Sequence, residues 1–247
     1  MRGLNFHSHP ILDSLYIEFK STTEYIHSVR RVKDTNRIEP YEPSMFIFSY
    51  FTFNSLYNIY WSSTLKNGCK ELITNYAKSE TDRFQDYINF IWDLNKHNEI
   101  TPVFNQTIIQ VIRQYLSEKG TDPDSVDIRQ WIESMMNEFI LSSNDINNDE
   151  QQTRSNKEKK FKKTEIDDFT RFLIKPLANE VLNISEIQHL VQIIYRIRCN
   201  LFHGAKDPEF FEQRHQKERF VIYAAILTAI NQFFFKTIHR RLYKCAH

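Results

Sequence analysis

Glycine and cysteine are scarce in this sequence, and its charges nearly cancel. Four Gly in 247 residues suit long helices with few glycine-dependent turns. The seven Pro fall mostly near the ends of hydrophobic segments, at Pro43, Pro102, Pro123 and Pro208, where they punctuate rather than interrupt. Three cysteines, Cys69, Cys199 and Cys245, are odd in number and far apart. That pattern fits reduced thiols inside a cell better than a disulfide framework, and it has no metal-ligand spacing. A net charge of +1 removes the global basic excess that would announce a nucleic-acid partner, so any RNA site must be local.

Other absences narrow the class further. The N-terminus carries Asp13 and the pair His7 and His9 where a signal peptide would need an apolar region, so a cytoplasmic location is expected. His7 and His9 could ligate a metal, but no nearby Cys or acidic cluster completes a site, and no cofactor is expected. The apolar stretch from Met45 to Trp61 is interrupted by Ser49, Thr52, Asn54, Ser55 and Asn58. It falls short of a membrane span and reads as a buried central helix; no membrane partner is expected. Nothing resembles a P-loop, a dinucleotide-binding fingerprint, a serine nucleophile elbow or a zinc finger.

What is present is apolar and aromatic. At 41% hydrophobic and 14% aromatic residues the chain can bury a full core, and an all-α class follows. Apolar residues recur at helical intervals from Ile11 to about Val32, and the run RIEPYEP then breaks the pattern. Pro43 opens the aromatic helix SMFIFSYFTFNSLYNIYWSSTL, with Ser44 as candidate cap. Helices are predicted at roughly 69–79, 82–96, 103–118 and 125–142, with Thr81, Thr101 and Ser125 as candidate caps and Gly120 as a break. Residues 142–163 switch from acidic to basic with almost no apolar content and read as a mobile loop, whose basic end from Lys157 to Lys163 could help hold RNA. Helices are expected again from about Thr164 to Ile174, from Ser185 to Phe202, and from Asp207 to Tyr243. Asp207 and Pro208 resemble an N-cap and first position, and Phe211, Phe220, Tyr223, Leu227, Ile230 and Phe234 form a core-facing stripe.

The segment IIYRIRCNLFHGAKDPEFF carries the chemistry. A helix bearing Arg196, Arg198 and Asn200 ends at His203 and Gly204, a natural helix terminus, beside the free amides of the next helix. Spacing alone leaves two readings open. Arg198 and His203 could serve a phosphate, or Arg198 could bind a carboxylate such as Asp207 while His203 bonds to backbone.

YRIRCNLFHGAK resembles the R-x4-6-H signature of the HEPN superfamily, close to the RxNLFHG form of its Apea-like branch, with Arg198 and His203 in the two fixed positions. The helix containing FTFNSLYNIYW is similar to one found earlier in that branch. The match departs from the pattern at Cys199, where many active members carry a polar residue, and at Phe51 and Thr52. The resemblance covers roughly 44–96 and 185–243 of what reads as one domain, 1–247.

It implies an antiparallel helical bundle with additional N-terminal and middle helices, usually a homodimer whose two Arg-x-His helices face one cleft. It further implies metal-independent RNA cleavage in a toxin, antiviral defence or RNA-processing setting. His203 would move a proton and Arg198 stabilise transition-state charge, with Arg196, Asn200 and Lys206 in support. A non-catalytic module that binds a nucleotide, or a regulatory protein such as a nucleotidyltransferase antitoxin, is the alternative. Residues five apart on a helix point roughly 140° from each other. Arg196, seven before His203, lies on nearly the same face as the histidine; Arg198 must reach round or act across a dimer.

Overall fold

Two segments of this chain are apolar around most of their helical circumference, and neither can be stable unless other helices surround it. In a computed structural model these become α2 (Glu42–Tyr57) and the long C-terminal α9 (Arg214–Lys244), which pack against each other at the centre. The structure describes residues 10–26, 29–32, 38–68, 70–74, 76–94, 100–145, 163–202 and 214–244. Around the central pair stand α1 (Pro10–Ile26), α3 (Trp61–Lys66), α4 (Glu80–Leu94), α5 (Ile100–Glu118), α6 (Ile128–Asp145), α7 (Lys163–Ile174) and α8 (Ile184–Phe202). The fold is all-α, and the described residues add one short antiparallel strand pair, β1 (Arg30–Val32) and β2 (Ile38–Pro40).

The core is one cluster that reaches from Leu12 to Ile238 and takes in Ile108, Ile112 and Tyr115 of α5 and Ile132 and Met136 of α6. Along α9 burial is nearly continuous from Gln216 to Phe235, well beyond the stripe read from the sequence. Within Gln216–Arg240 an 18-residue window reaches the mean hydropathy of a membrane span, 1.5, yet 89% of that window is buried inside the bundle. Phe234 packs on Trp61 at 4.6 Å, Phe235 at 5.1 Å and Tyr87 at 5.5 Å between ring centroids. A polar seam crosses this apolar mass: Ser49 Oγ meets Thr228 Oγ1 at 3.3 Å, Asn231 Nδ2 donates to the Ser49 carbonyl at 3.3 Å, and Thr107 Oγ1 donates to Gln232 at 2.7 Å.

Several boundaries differ from the sequence reading. The first helix stops at Ile26, and Arg30–Val32 pairs with Ile38–Pro40 instead of continuing to Val32 as helix. β-branched Val32 and Ile38 face each other in register, and Pro40 closes the strand where a ladder donor can be spared. The aromatic helix begins before Ser44, whose hydroxyl donates to the Tyr41 carbonyl at 2.6 Å and so caps nothing. It also breaks at Asn58: the Asn58 amide side chain donates to the Asn54 carbonyl at 2.8 Å, and Ile59 bridges to Thr74. Trp61 Nε1 then satisfies the Leu56 carbonyl at 2.8 Å, closing the kink between α2 and α3.

The helix expected at 69–79 is not formed in its described part. The Ile73 amide donates to Thr64 Oγ1 at 3.2 Å while its carbonyl accepts from Tyr60, so tertiary partners take the bonds a helix would need. Ser79 rather than Thr81 caps α4, accepting from the Asp82 amide at 3.2 Å. Thr101 lies inside α5 and accepts from the Leu182 amide at 3.1 Å. Asp127, not Ser125, caps α6, accepting from the amides of Arg129 at 2.9 Å and Gln130 at 3.1 Å. Asn183 caps α8, and Glu186 reaches back to the Asn183 amide at 2.9 Å in a reciprocal box.

Residues 142–145 prolong α6, Lys163 opens α7, and 146–162 lie outside the described residues, as do His7, His9, Asp207, Pro208 and Phe211.

Phe234→Ala is expected to lower unfolding free energy by about 3–5 kcal/mol, because it removes a ring on which three others pack. Asn183→Ala should cost about 1 kcal/mol through loss of the α8 cap. Urea denaturation of both variants against wild type checks the pair and their order.

Candidate functional site at the C-terminal end of α8

The last turns of α8 present Arg196 and Arg198 in opposite directions, because residues two apart on a helix diverge by about 200°. Arg196 Nη1 pairs with Glu165 Oε1 of α7 at 2.6 Å. His189, two turns back on the same face of α8, reaches the Glu165 carbonyl at 3.2 Å and sets its ring edge-on to Phe172 at 5.4 Å. Arg196 is thereby built into the α7–α8 seam.

Arg198 faces α2 and α4. Its guanidinium lies over the Tyr50 ring at 5.4 Å, its Nη1 is 3.8 Å from Glu80 Oε2 and 3.9 Å from the Cys199 sulfur, and the side chain keeps 27% exposure. Glu80, the first residue of α4, is the hub. Its carboxylate accepts from the Tyr195 hydroxyl at 3.0 Å and from the Tyr57 hydroxyl, which also contacts Asn54. Tyr50 and Tyr57 hydroxyls meet at 3.4 Å. One cation, one carboxylate, three phenols and a thiol therefore form a connected node.

The electrostatics follow from burial. Desolvation pushes Tyr50 up to about 12, although Tyr57 and Arg198 pull the other way. Burial also raises Tyr57 well above an ordinary phenol, reinforced by Tyr50 and Glu80, and raises Tyr195, reinforced by Cys199 and Glu80. All three stay neutral donors at physiological pH. Partial burial disfavours the Arg198 cation, but Tyr50, Cys199 and Glu80 more than offset it and its pKa is raised.

Of the residues expected in the site, Arg196 and Arg198 are described and stand apart, each on its own carboxylate. The carboxylate suggested for Arg198, Asp207, lies outside the described residues; Glu80 is the partner observed. Asn200 falls within α8, while His203 and Lys206 lie outside the described residues. Sequence reasoning missed Glu80, Tyr50, Tyr57 and Tyr195. A signal existed for three of them: Tyr50 and Tyr57 are two helical turns apart on one face of α2, and Tyr195 precedes Arg198 and Cys199 by three and four positions.

A separate pocket of about 390 Å³, lined by Thr101, Pro102, Asn105, Gln106, Asn179 and Val181, contains no titratable side chain. Among the described residues no group of three or more His, Cys, Asp or Glu could hold a metal ion.

A free tyrosine ionises near pH ~10, whereas Tyr50 holds its proton to about 12. Between those values the folded state binds more protons than the unfolded chain, so stability falls as pH rises through that window. Tyr50→Phe should make the fall shallower. Chemical denaturation of both proteins below and within the window measures the slope, and equal slopes would remove Tyr50 as its source. Comparison of the whole chain with known proteins finds no matching family model, curated protein or solved structure.

Proposed function

We propose that this chain is a metal-independent endoribonuclease of the HEPN type, with Arg198 and His203 as its catalytic pair. The ribose 2′-oxygen attacks the adjacent phosphorus, the 5′-oxygen leaves, and the products carry a 2′,3′-cyclic phosphate and a 5′-hydroxyl. His203 moves the proton and Arg198 stabilises charge on the phosphorane-like transition state. Asn200 and Lys206 assist with phosphate contacts. Arg196 lends positive charge from the α7 side, where its pairing with Glu165 makes its role secondary to that of Arg198. Two copies bring two such pairs to one cleft.

The observation that supports this reading best is the state of Arg198. It is oriented by a carboxylate and an aromatic face yet keeps a quarter of its side chain exposed, five residues before the histidine. A guanidinium held in advance can meet developing charge without reorganising, which is where electrostatic catalysis draws its advantage. Imidazole suits the partner role because its ordinary pKa is near neutrality.

The same geometry favours a second reading, a non-catalytic module for a nucleotide or a partner protein. Glu80 already compensates part of the Arg198 charge, as it would in a site that binds a phosphate weakly and reversibly.

Incubation of purified protein with a mixed RNA pool in excess EDTA separates the two. Wild type should cleave and leave cyclic phosphate ends. Arg198→Ala should lose about 10²–10³-fold of the rate, and His203→Ala about 10²–10⁴-fold. Saturable binding without product would favour the binding module. Equal cleavage by all three proteins would place the activity elsewhere.

A further inference from the structure

A second arginine stands one helical turn beyond Glu80 and takes no part in the node just described. Arg83 of α4 sets its guanidinium over the Tyr76 ring at 5.4 Å. Its Nε is buried and has no hydrogen-bond partner. Among the described residues no carboxylate pairs with it, because the neighbouring acids are engaged elsewhere: Asp82 with Ser79 at 2.6 Å, Asp86 with Lys78 at 2.7 Å, and Glu80 with Tyr57, Tyr195 and Arg198. A partly desolvated cation without a counter-anion is a cost that a bound phosphate would offset.

Tyr76, between α3 and α4, is 69% exposed, more than Leu72 at 38% on the same stretch or Tyr60 at 41% just before α3. A singly exposed side chain is ordinary on a protein surface, so what marks Tyr76 is the combination of an open ring with a guanidinium set over it. One face of the ring is backed by a guanidinium, and a tyrosine in that state is a platform on which a nucleobase can stack.

Local charge selects among ligands. Lys78 and Arg83 are set among Glu80, Asp82 and Asp86, so this surface has no basic field to attract a polyanion such as duplex nucleic acid. It offers one aromatic face and one unpaired guanidinium, the complement of a single unstacked nucleotide.

We infer that Tyr76 and Arg83 form a nucleotide subsite for single-stranded RNA, the base stacking on Tyr76 and its phosphate meeting Arg83. The choice of RNA rests on the nuclease reading above. The subsite precedes Glu80 by four residues in the case of Tyr76 and follows it by three in the case of Arg83. A strand seated there runs past the carboxylate that holds Arg198.

Fluorescence anisotropy with a labelled single-stranded oligoadenylate and a duplex RNA of equal length tests it, using full-length His203→Ala so that the probe survives. Tyr76→Ala in that background should weaken single-strand binding by about tenfold, and Tyr76→Trp should retain it. Arg83→Gln should weaken binding and lower the salt dependence by about one phosphate contact. Duplex binding should be weaker than single-strand binding and unchanged by any of the three. Circular dichroism confirms that the fold is kept.

Unchanged single-strand affinity in Tyr76→Ala overturns the subsite, as does a parent protein that binds neither probe. Cleavage of the same oligonucleotide by wild type is scored separately. Tyr76-dependent binding without cleavage would retire the nuclease reading alone, and cleavage with Tyr76-independent binding would retire the subsite alone.

Discussion

The structure depends on surrounding α9. A helix that is buried on nearly every side from Gln216 to Phe235 sheds its apolar surface only if neighbours cover its whole circumference, and α2, α5, α6, α4 and α1 all contact it. Aromatic rings do much of the covering. Phe46 meets both Phe220 and Tyr223, Phe19 stacks on Phe235 at 4.9 Å, and Trp61 closes on Phe234. The kink between α2 and α3 is part of the same requirement, since it swings Trp61 onto α9 instead of letting α2 run straight past it.

The candidate site is a by-product of that arrangement. α2 must lie on α9, and its outer face then presents Tyr50 and Tyr57 towards the first turn of α4 and the last turns of α8. Glu80 is held where those three elements meet, and its acceptor oxygens are what turn two buried phenols and the half-buried Tyr195 from a liability into a satisfied network. Arg198 and Glu80 both still meet solvent, at 27% and 25% side-chain exposure. Positioning of the guanidinium is therefore inherited from core packing through two tyrosines and a carboxylate, with no loop intervening.

The all-α class and the cores of most helices were legible because burial leaves a periodic mark: α5, α7 and α8 lie close to where their apolar spacing puts them. Local competition was harder to read. Ser44, Thr81, Thr101 and Ser125 each have a side chain that can cap, but which one does so depends on where the chain turns. Asp127 and Asn183 won because the turns before α6 and α8 end on them. The 69–79 segment has helix-compatible residues, yet Thr64 and Tyr60 claimed the backbone groups of Ile73, a long-range event with no local signature. Glu80 was invisible for the same reason. An acid in a first helical turn, here beside Asp82, reads as dipole compensation until the tyrosines of another helix are seen to converge on it. Arg198 was singled out from its setting at the end of an apolar helix, whereas its distance from Arg196 in space follows from helical rotation alone.

The polar seam in the core has a consequence of its own. Grease on every side makes a helix almost indifferent to its own rotation, since turning it exchanges one apolar contact for another of similar worth. Ser49, Thr228 and Asn231, with Thr107 and Gln232 on the α5 side, break that indifference because their donors and acceptors meet at only one angle and one height. They act as an index mark along the apolar length of the shaft, beyond the buried Gln216, Lys217, Glu218 and Arg219 at its start. Substitution among the large apolar residues of α9 can change how tightly the bundle is filled while leaving this mark in place. Erasing it would leave a bundle as well filled as before, but with a looser setting for the middle of α9 and hence for the helices that take their bearings from it.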